Sequence, residues 1–217
     1  MPKCFALTLK SLVTRYAQLI GVLYDDITLE QLKKNKKVKT VMVEIFIVLF
    51  FLIFFPALYT KAPIYLSNFE AINQLKTFLP SDQDFKFLDA GCGTGRVLKA
   101  LSSEFPKGSF EGIELSPLLA LFATFLTWRS QNVRVKLGTL FTHQLKNYDY
   151  IYAFLSPVAH TMLYEYLKKL GFQGTLVLNS FPLDKIAHDL KIEGKQTLFL
   201  YKLNFTDKDL RLPEKKG

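Results

Sequence analysis

The run Phe87-Leu-Asp-Ala-Gly-Cys-Gly-Thr-Gly-Arg96 decides how this chain is read. Its first residues continue a short apolar stretch from Phe85, as a strand would. Gly91, Gly93 and Gly95 then interrupt it at alternate positions, and Arg96 opens a segment with helical spacing to Phe105. Strand, tight turn and helix start, in that order, form the place where an open parallel sheet takes a ligand. Glycines there permit positive φ and close backbone approach, and the helix N-terminus offers free N–H donors. The dinucleotide fingerprint needs a glycine where Arg96 stands, which disfavours a pyrophosphate site. No Lys-Ser/Thr pair ends the loop, which excludes a P-loop.

Working outward, strand and helix patterns alternate. A helix is expected from Ser67 to Phe78, stopped by Pro80. Strands follow at Phe85–Asp89, Ser109–Glu114, Val133–Leu137, Tyr148–Phe154, Thr175–Asn179 and Gln196–Leu203. Helices are expected at Arg96–Phe105, Pro117–Ser130 and Val158–Leu170, the last ended by Gly171, with a polar helix over Leu183–Leu190. Strands alternating with helices of ten to fifteen residues mean βαβ units. The expected fold is therefore α/β: a Rossmann-like, mostly parallel sheet with helices on both faces, occupying residues 61–206 before a polar tail at 207–217.

The N-terminal part differs in character. Residues 5–23 place Phe5, Leu9, Leu12, Val13, Tyr16, Leu19, Ile20 and Leu23 at helical spacing. An interfacial membrane helix and a helix packed on the domain both fit. Lys33, Lys34, Lys36, Lys37 and Lys39 follow, closing a segment 1–40 with eight basic and three acidic side chains, net +5. Residues 41–60 are then almost wholly apolar, with Glu44 as the sole charge before Lys61 and Pro56 able to bend or end a helix. This length is marginal for a full span. It is read as a membrane-associating helical segment. The Lys run places that flank in the cytoplasm, and a full span would carry residues 61–217 to the other side. The expectation is a segment that enters the bilayer without crossing it, the domain lying on the cytoplasmic side, or the matrix side in an organelle.

Composition narrows the function classes. The chain has 217 residues and a net charge of +9, but of 28 basic residues only five are Arg. Bidentate base and phosphate readers favour Arg, so the basicity fits an anionic membrane surface better than sequence-specific nucleic-acid binding. Cys4 and Cys92 cannot make a disulfide framework or a Cys-based zinc site. His143, His160 and His188 have no metal-ligand spacing, and no metal is expected. Cys92 reads as a small packed side chain inside the loop rather than as a nucleophile.

Leu88-Asp-Ala-Gly-Cys-Gly-Thr-Gly95 resembles motif I of class I S-adenosylmethionine-dependent methyltransferases. The resemblance implies S-adenosyl-L-methionine as cofactor, with Gly91, Cys92, Gly93 and Gly95 around it and Asp89 near its amino-acid moiety. It implies that Glu114, at the end of the second strand, accepts both ribose hydroxyls, with Leu115 alongside. A carboxylate is acceptor-only and suits a diol. Where many relatives have an Asp for the adenine amino group, this chain has Lys136-Leu-Gly-Thr-Leu-Phe-Thr142; Thr139 or backbone atoms would take that bond, and Leu140 and Phe141 would contact the ring.

A finer resemblance runs to the small membrane-anchored protein-lysine methyltransferases that act on ATP synthase subunit c and the adenine nucleotide translocase, and to their bacterial relatives. It is carried by Ala62-Pro-Ile-Tyr-Leu-Ser67, Gly112-Ile-Glu-Leu-Ser-Pro117, Tyr148-Asp-Tyr-Ile-Tyr-Ala-Phe-Leu-Ser-Pro157 and Asn179-Ser-Phe-Pro182. The second proline usual in the first of these is absent, and the aromatic turn after Pro182 is much reduced. Phe154-Leu-Ser-Pro157 also lacks the Asn/Asp-Pro-Pro-aromatic signature of base and glutamine methylation. The implied activity is N-methylation of a lysine in a membrane protein. The alternatives are methylation of a lipid or small hydrophobic molecule, and a non-catalytic relict of the fold. Tyr65, Tyr152, Phe154 and Phe181 are candidates to line an acceptor channel, with Tyr65 and Ser156 as polar guides. No general base is assigned.

Overall fold

The computed structural model describes residues 40, 41, 43–48 and 65–205. The chain divides into two units, Met1–Phe51 and Leu52–Gly217. In the first, the described residues at 40–48 are helical, and Val43, Phe46 and Ile47 are exposed. The amphipathic pattern of residues 5–23, most of the apolar segment at 41–60 and the tail at 207–217 lie outside the described residues. Among the described residues no helix is long and apolar enough to cross a membrane.

The second unit begins with helix α1, Phe69–Lys76. Asn68 caps it by accepting from the Ala71 N–H, and Ala71, Ile72 and Leu75 form its buried face. Strand β1, Phe85–Ala90, ends in the glycine loop, and α2, Arg96–Glu104, follows with Val97, Leu98 and Leu101 inward. β2 is Gly108–Glu114, and α3, Pro117–Thr127, starts on a Ser116 cap with proline at its first position, where no N–H is needed. β3, Val133–Leu137, leads through two short 3-10 turns, Leu140–Thr142 and Leu145–Asn147, to β4, Tyr150–Ala153. Helix α4, Pro157–Leu170, closes on Gly171 in the left-handed region. β5, Gln173–Asn179, precedes a hairpin of β6, Leu190–Ile192, and β7, Leu198–Asn204.

The sheet order is β3-β2-β1-β4-β5-β7-β6. The first five strands are parallel; β7 runs antiparallel to both of its neighbours. Two apolar clusters fill its faces. Phe87, Phe110, Tyr152 and Val177 pack with α1 and α2 on one side. Leu88, Ile113, Ile151 and Leu176 pack with Leu163 and Leu167 of α4 on the other. Each fully buried side chain of this size stabilises by roughly 1.5–3 kcal/mol. The central strands are buried on both sides, so they read as near-continuous apolar runs.

One expected element does not form. Residues 183–190 are not a helix: they make a turn with Lys185 at φ 60°, and Leu190 enters β6. Pairing decides this, since Asp189 N–H donates to the Leu200 carbonyl and its carboxylate accepts from Lys202 N–H. A three-residue edge strand carries no readable period, and the sequence pattern missed it.

Candidate functional site

The register sets the site. Asp89, one residue from the end of β1, lies between Gly112 of β2 and Tyr152 of β4. The loop beyond it is hung on the neighbouring strand: Gly91 and Cys92 both donate to the Ile113 carbonyl, at 2.9 and 3.2 Å. Gly91, Gly93 and Gly95 all adopt positive φ, but their surroundings differ. A Cβ on Gly95 would meet Ala123 of α3 at 3.0 Å, so this glycine serves helix packing. A Cβ on Gly93 would meet nothing within 4 Å. Gly93 is the point where the backbone faces open space.

Glu114 closes the loop from β2. Its Oε2 accepts from Gly93 N–H at 2.8 Å and its Oε1 from Ser116 N–H at 2.8 Å. A carboxylate has about four lone-pair sites, so roughly two remain for a ligand. Asp89 is 3% exposed, and its Oδ2 has no hydrogen-bond partner. Burial first, and the nearby Glu114 charge second, push its carboxyl up to about 8. A buried, unpartnered carboxyl oxygen costs free energy unless a donor or cation arrives. Cys92 packs under the loop, with Sγ 2.7 Å from where a Gly112 Cβ would stand, and burial pushes its thiol up. That is the environment of an inert cysteine.

A cleft runs beside the loop, bounded by Asp89, Gly93, Arg96, Ser67, Tyr152 and Phe154. Its cover is the segment 65–68. Ser67 meets the Tyr152 hydroxyl at 2.6 Å, and Tyr152 accepts from Asn179 Nδ2 at 2.7 Å. Gln196 donates to the Leu66 carbonyl at 3.0 Å and accepts from Asn68 N–H at 2.8 Å. Arg96 reaches the Ser67 carbonyl at 3.3 Å and lies over the Phe69 ring. Asn179, Gln196 and Arg96 were not singled out from the sequence as site residues. Arg96 stands at the loop's sixth position, but its partner is a segment 29 residues earlier, which no local pattern reveals.

Three of the four aromatics expected to line a channel come together. Tyr65 stacks on Phe154 at 4.8 Å and meets Phe181 at 5.5 Å; Phe154 and Phe181 are 6.5 Å apart. Tyr152 is buried below them, stacked on Phe87. Ser156 caps α4, its hydroxyl accepting from Ala159 N–H at 3.3 Å. That bond engages the Ser156 hydroxyl oxygen as an acceptor, a structural task that stands beside the guiding role expected of it. Leu115, the residue after β2, is exposed, Thr139 caps the first 3-10 turn, and Leu140 packs against the second apolar cluster. These three gather on the β2–β3 side of the loop, where Gly138 N–H donates to the Glu114 carbonyl at 2.9 Å.

His160 has no metal-ligand spacing in the sequence, and its position in the fold is specific. It is fully buried, its Nε2 accepts from Leu155 N–H at 3.0 Å, and so its Nδ1 carries the proton given to the Phe181 carbonyl at 2.9 Å. One imidazole therefore ties the loop after β4 to the loop after β5, the two loops that carry Phe154 and Phe181. Burial lowers its pKa to about 4. His143 and His188 have no such role, and no group of metal-ligating side chains occurs among the described residues.

No protein-family profile and no curated protein matches this sequence. Solved structures do match. An RNA methyltransferase from Salinibacter ruber, crystallised with S-adenosyl-L-homocysteine, superposes with a TM-score of 0.58 at 18% identity, over 69% of this chain and 97% of that one. A mutant of MtNAS gives 0.51 at 9% identity, over 61% and 59%. A precorrin-6y C5,15-methyltransferase from Geobacter metallireducens GS-15 gives 0.49 at 16%, over 63% and 90%. At these identities the likeness concerns fold: the second unit has the class I methyltransferase fold.

Proposed function

We propose that the chain is an S-adenosylmethionine-dependent methyltransferase that N-methylates an amine, a lysine side chain of a membrane protein. The observation that carries the reading is the pair formed by Gly93 and Asp89: backbone facing open space beside a buried carboxyl oxygen without a partner. S-adenosylmethionine fits both, because it carries an ammonium to satisfy Asp89 and a ribose diol for the acceptor sites left on Glu114. Leu115, Thr139 and Leu140, on the segments that follow β2 and β3, are the residues assigned to border its base.

The cofactor, when bound, supplies an activated methyl on a positively charged sulfur, with a neutral leaving group. The chain's own residues then have three tasks. Asp89 and Glu114 hold and orient. The segment 65–68, fastened by Tyr152, Asn179 and Gln196, covers the cleft and excludes water. Tyr65, Phe154 and Phe181 surround the approach of the acceptor. Aromatic rings attract an ammonium by cation–π contact, and the same dry lining disfavours its charge, which helps it lose a proton. Nitrogen takes the methyl only after that loss, so positioning and desolvation are what the protein contributes. No side chain is assigned as a general base.

The lysine target rests on the resemblance carried by Tyr65-Leu-Ser67, Phe154-Leu-Ser-Pro157 and Asn179-Ser-Phe-Pro182, and on the apolar segment at 41–60 as a membrane attachment. Labelled methyl transfer into membrane fractions tests it. Label in protein, recovered as methyl-lysine, supports the reading. Label extracted with lipid favours the alternative acceptor, and no label in either overturns the enzyme.

A further inference from the structure

Helix α3 turns its small residues inward and its large apolar ones outward. Ala120, Ala123 and Thr127 are buried against α2 and the sheet edge. On the opposite side stand Leu121, 65% exposed, Phe125, 72%, and Trp128, 68%, with Phe122 and Leu126 beside them. The spacing 121, 125, 128 is one stripe along the helix. A surface helix of a globular domain does the reverse, and a contiguous apolar face of this kind marks an interaction surface.

Charge indicates the occupant. From Leu115 to Tyr148 there is no Asp or Glu, while Arg129, Arg134, Lys136 and Lys146 all fall within that span. The acids on the elements packed around α3 are already engaged: Glu104 with Lys76 at 2.5 Å, Glu111 with Lys136 at 2.7 Å, and Glu114 buried in the site. At the end of the stripe the Arg129 guanidinium lies 5.0 Å from the Trp128 ring centre. A Trp beside an Arg at the end of an apolar stripe suits the boundary between acyl chains and phosphates.

We propose that α3 is a membrane-surface helix, its outer face embedded in an anionic lipid bilayer. Leu121, Phe122 and Phe125 enter the acyl region, Trp128 sits at headgroup level, and Arg129 pairs with lipid phosphate. The contact is additional to any made by residues 5–23 or 41–60 and requires neither cofactor nor acceptor. Because Ser116 begins α3 two residues after Glu114, such a contact brings lipid to the edge of the candidate site.

Trp128 is the only tryptophan, so intrinsic fluorescence reports on this helix alone. The full chain is mixed with vesicles of equal parts phosphatidylglycerol and phosphatidylcholine, and with phosphatidylcholine alone. With the anionic vesicles, emission shifts to the blue, is quenched by lipids brominated in the acyl chain, and is shielded from iodide. The double variant Leu121→Glu, Phe125→Glu loses the bromolipid quenching while its circular dichroism is unchanged; should it fail to fold, the wild-type quenching decides. The proposal is overturned if Trp128 stays open to iodide while the protein sediments with vesicles, or if both vesicle types quench equally. It is equally overturned if the emission is already blue-shifted without lipid: concentration dependence would then indicate a second copy, and its absence a segment of the same chain.

Discussion

The hydroxyls of Ser67 and Tyr152 lie 2.6 Å apart although 85 positions separate them. One belongs to the segment that enters the α/β unit, the other to the strand beside Asp89. The bond therefore fixes the cover of the cleft to its floor, and Asn179 extends it to the end of β5.

Tyr152→Phe keeps the ring stacked on Phe87 and removes the hydroxyl. Ser67 and Asn179 are then short of a partner in a buried place, which costs about 1–3 kcal/mol of stability. The account expects weaker cofactor binding as well. Tyr201→Phe, which removes an acceptor for Leu183 N–H at 2.9 Å, is expected to lower stability alone. Chemical denaturation and calorimetry of the two variants side by side check this.

The loop glycines should separate by role. Gly95→Ala pushes a Cβ into Ala123 backbone and is expected to lower stability clearly, by roughly 1–3 kcal/mol, through overpacking and left-handed strain. Gly93→Ala meets no protein atom and is expected to cost only about 1 kcal/mol for its φ. Its methyl fills the space where the ligand approaches, so cofactor affinity falls for Gly93→Ala out of proportion to stability. Equal losses in both assays for both variants would count against the assignment.

Asp89 gives a proton signature. Its folded value, about 8, lies above the reference of about 3.9, so between those limits the native state holds a proton that the unfolded chain has lost. Its contribution to stability is present below about pH 4 and is lost as pH rises through 8. A ligand ammonium favours the carboxylate, so cofactor binding near neutral pH releases a proton. Calorimetry in two buffers of different ionisation enthalpy should show that release in the wild type and not in Asp89→Asn.

His160 has the opposite sign. Its folded value, about 4, lies below the reference of about 6.5, so its contribution is present above pH 6.5 and lost as pH falls toward 4. Between those limits the slopes of His160 and Asp89 oppose one another. His160→Ala leaves Leu155 N–H and the Phe181 carbonyl without their buried partner, at a cost of about 2–4 kcal/mol at pH 7. Its denaturation profile should lack the loss on acidification that Asp89→Asn displays alone.

The parts of the fold that were readable from the sequence are those set by local pattern. Val133–Leu137 and the helix opening at Arg96 are bounded as the residues suggest, because apolar period, proline and glycine act within a few positions. Leu190–Ile192 was not readable, since an edge strand of three residues exists only through β7. The same division holds at the site. Gly93, Asp89 and Glu114 lie within 26 consecutive positions and announce themselves. The network that roofs the cleft joins Ser67, Tyr152, Asn179 and Gln196 across the whole unit; Tyr152 reads as a channel candidate, but the bonds that join the four show only once the fold assembles them. Ser156 shows another limit: a hydroxyl before proline reads as a polar guide, and the helix cap it also makes shows only once α4 is placed.

The most direct test is a calorimetric titration of S-adenosylmethionine into the full chain and into Glu114→Ala. The account predicts saturable one-site binding in the wild type, weakened roughly ten- to a hundredfold in the variant as charge-assisted hydrogen bonds to the ribose are lost. No binding by the wild type, or an unchanged dissociation constant in Glu114→Ala, would contradict it.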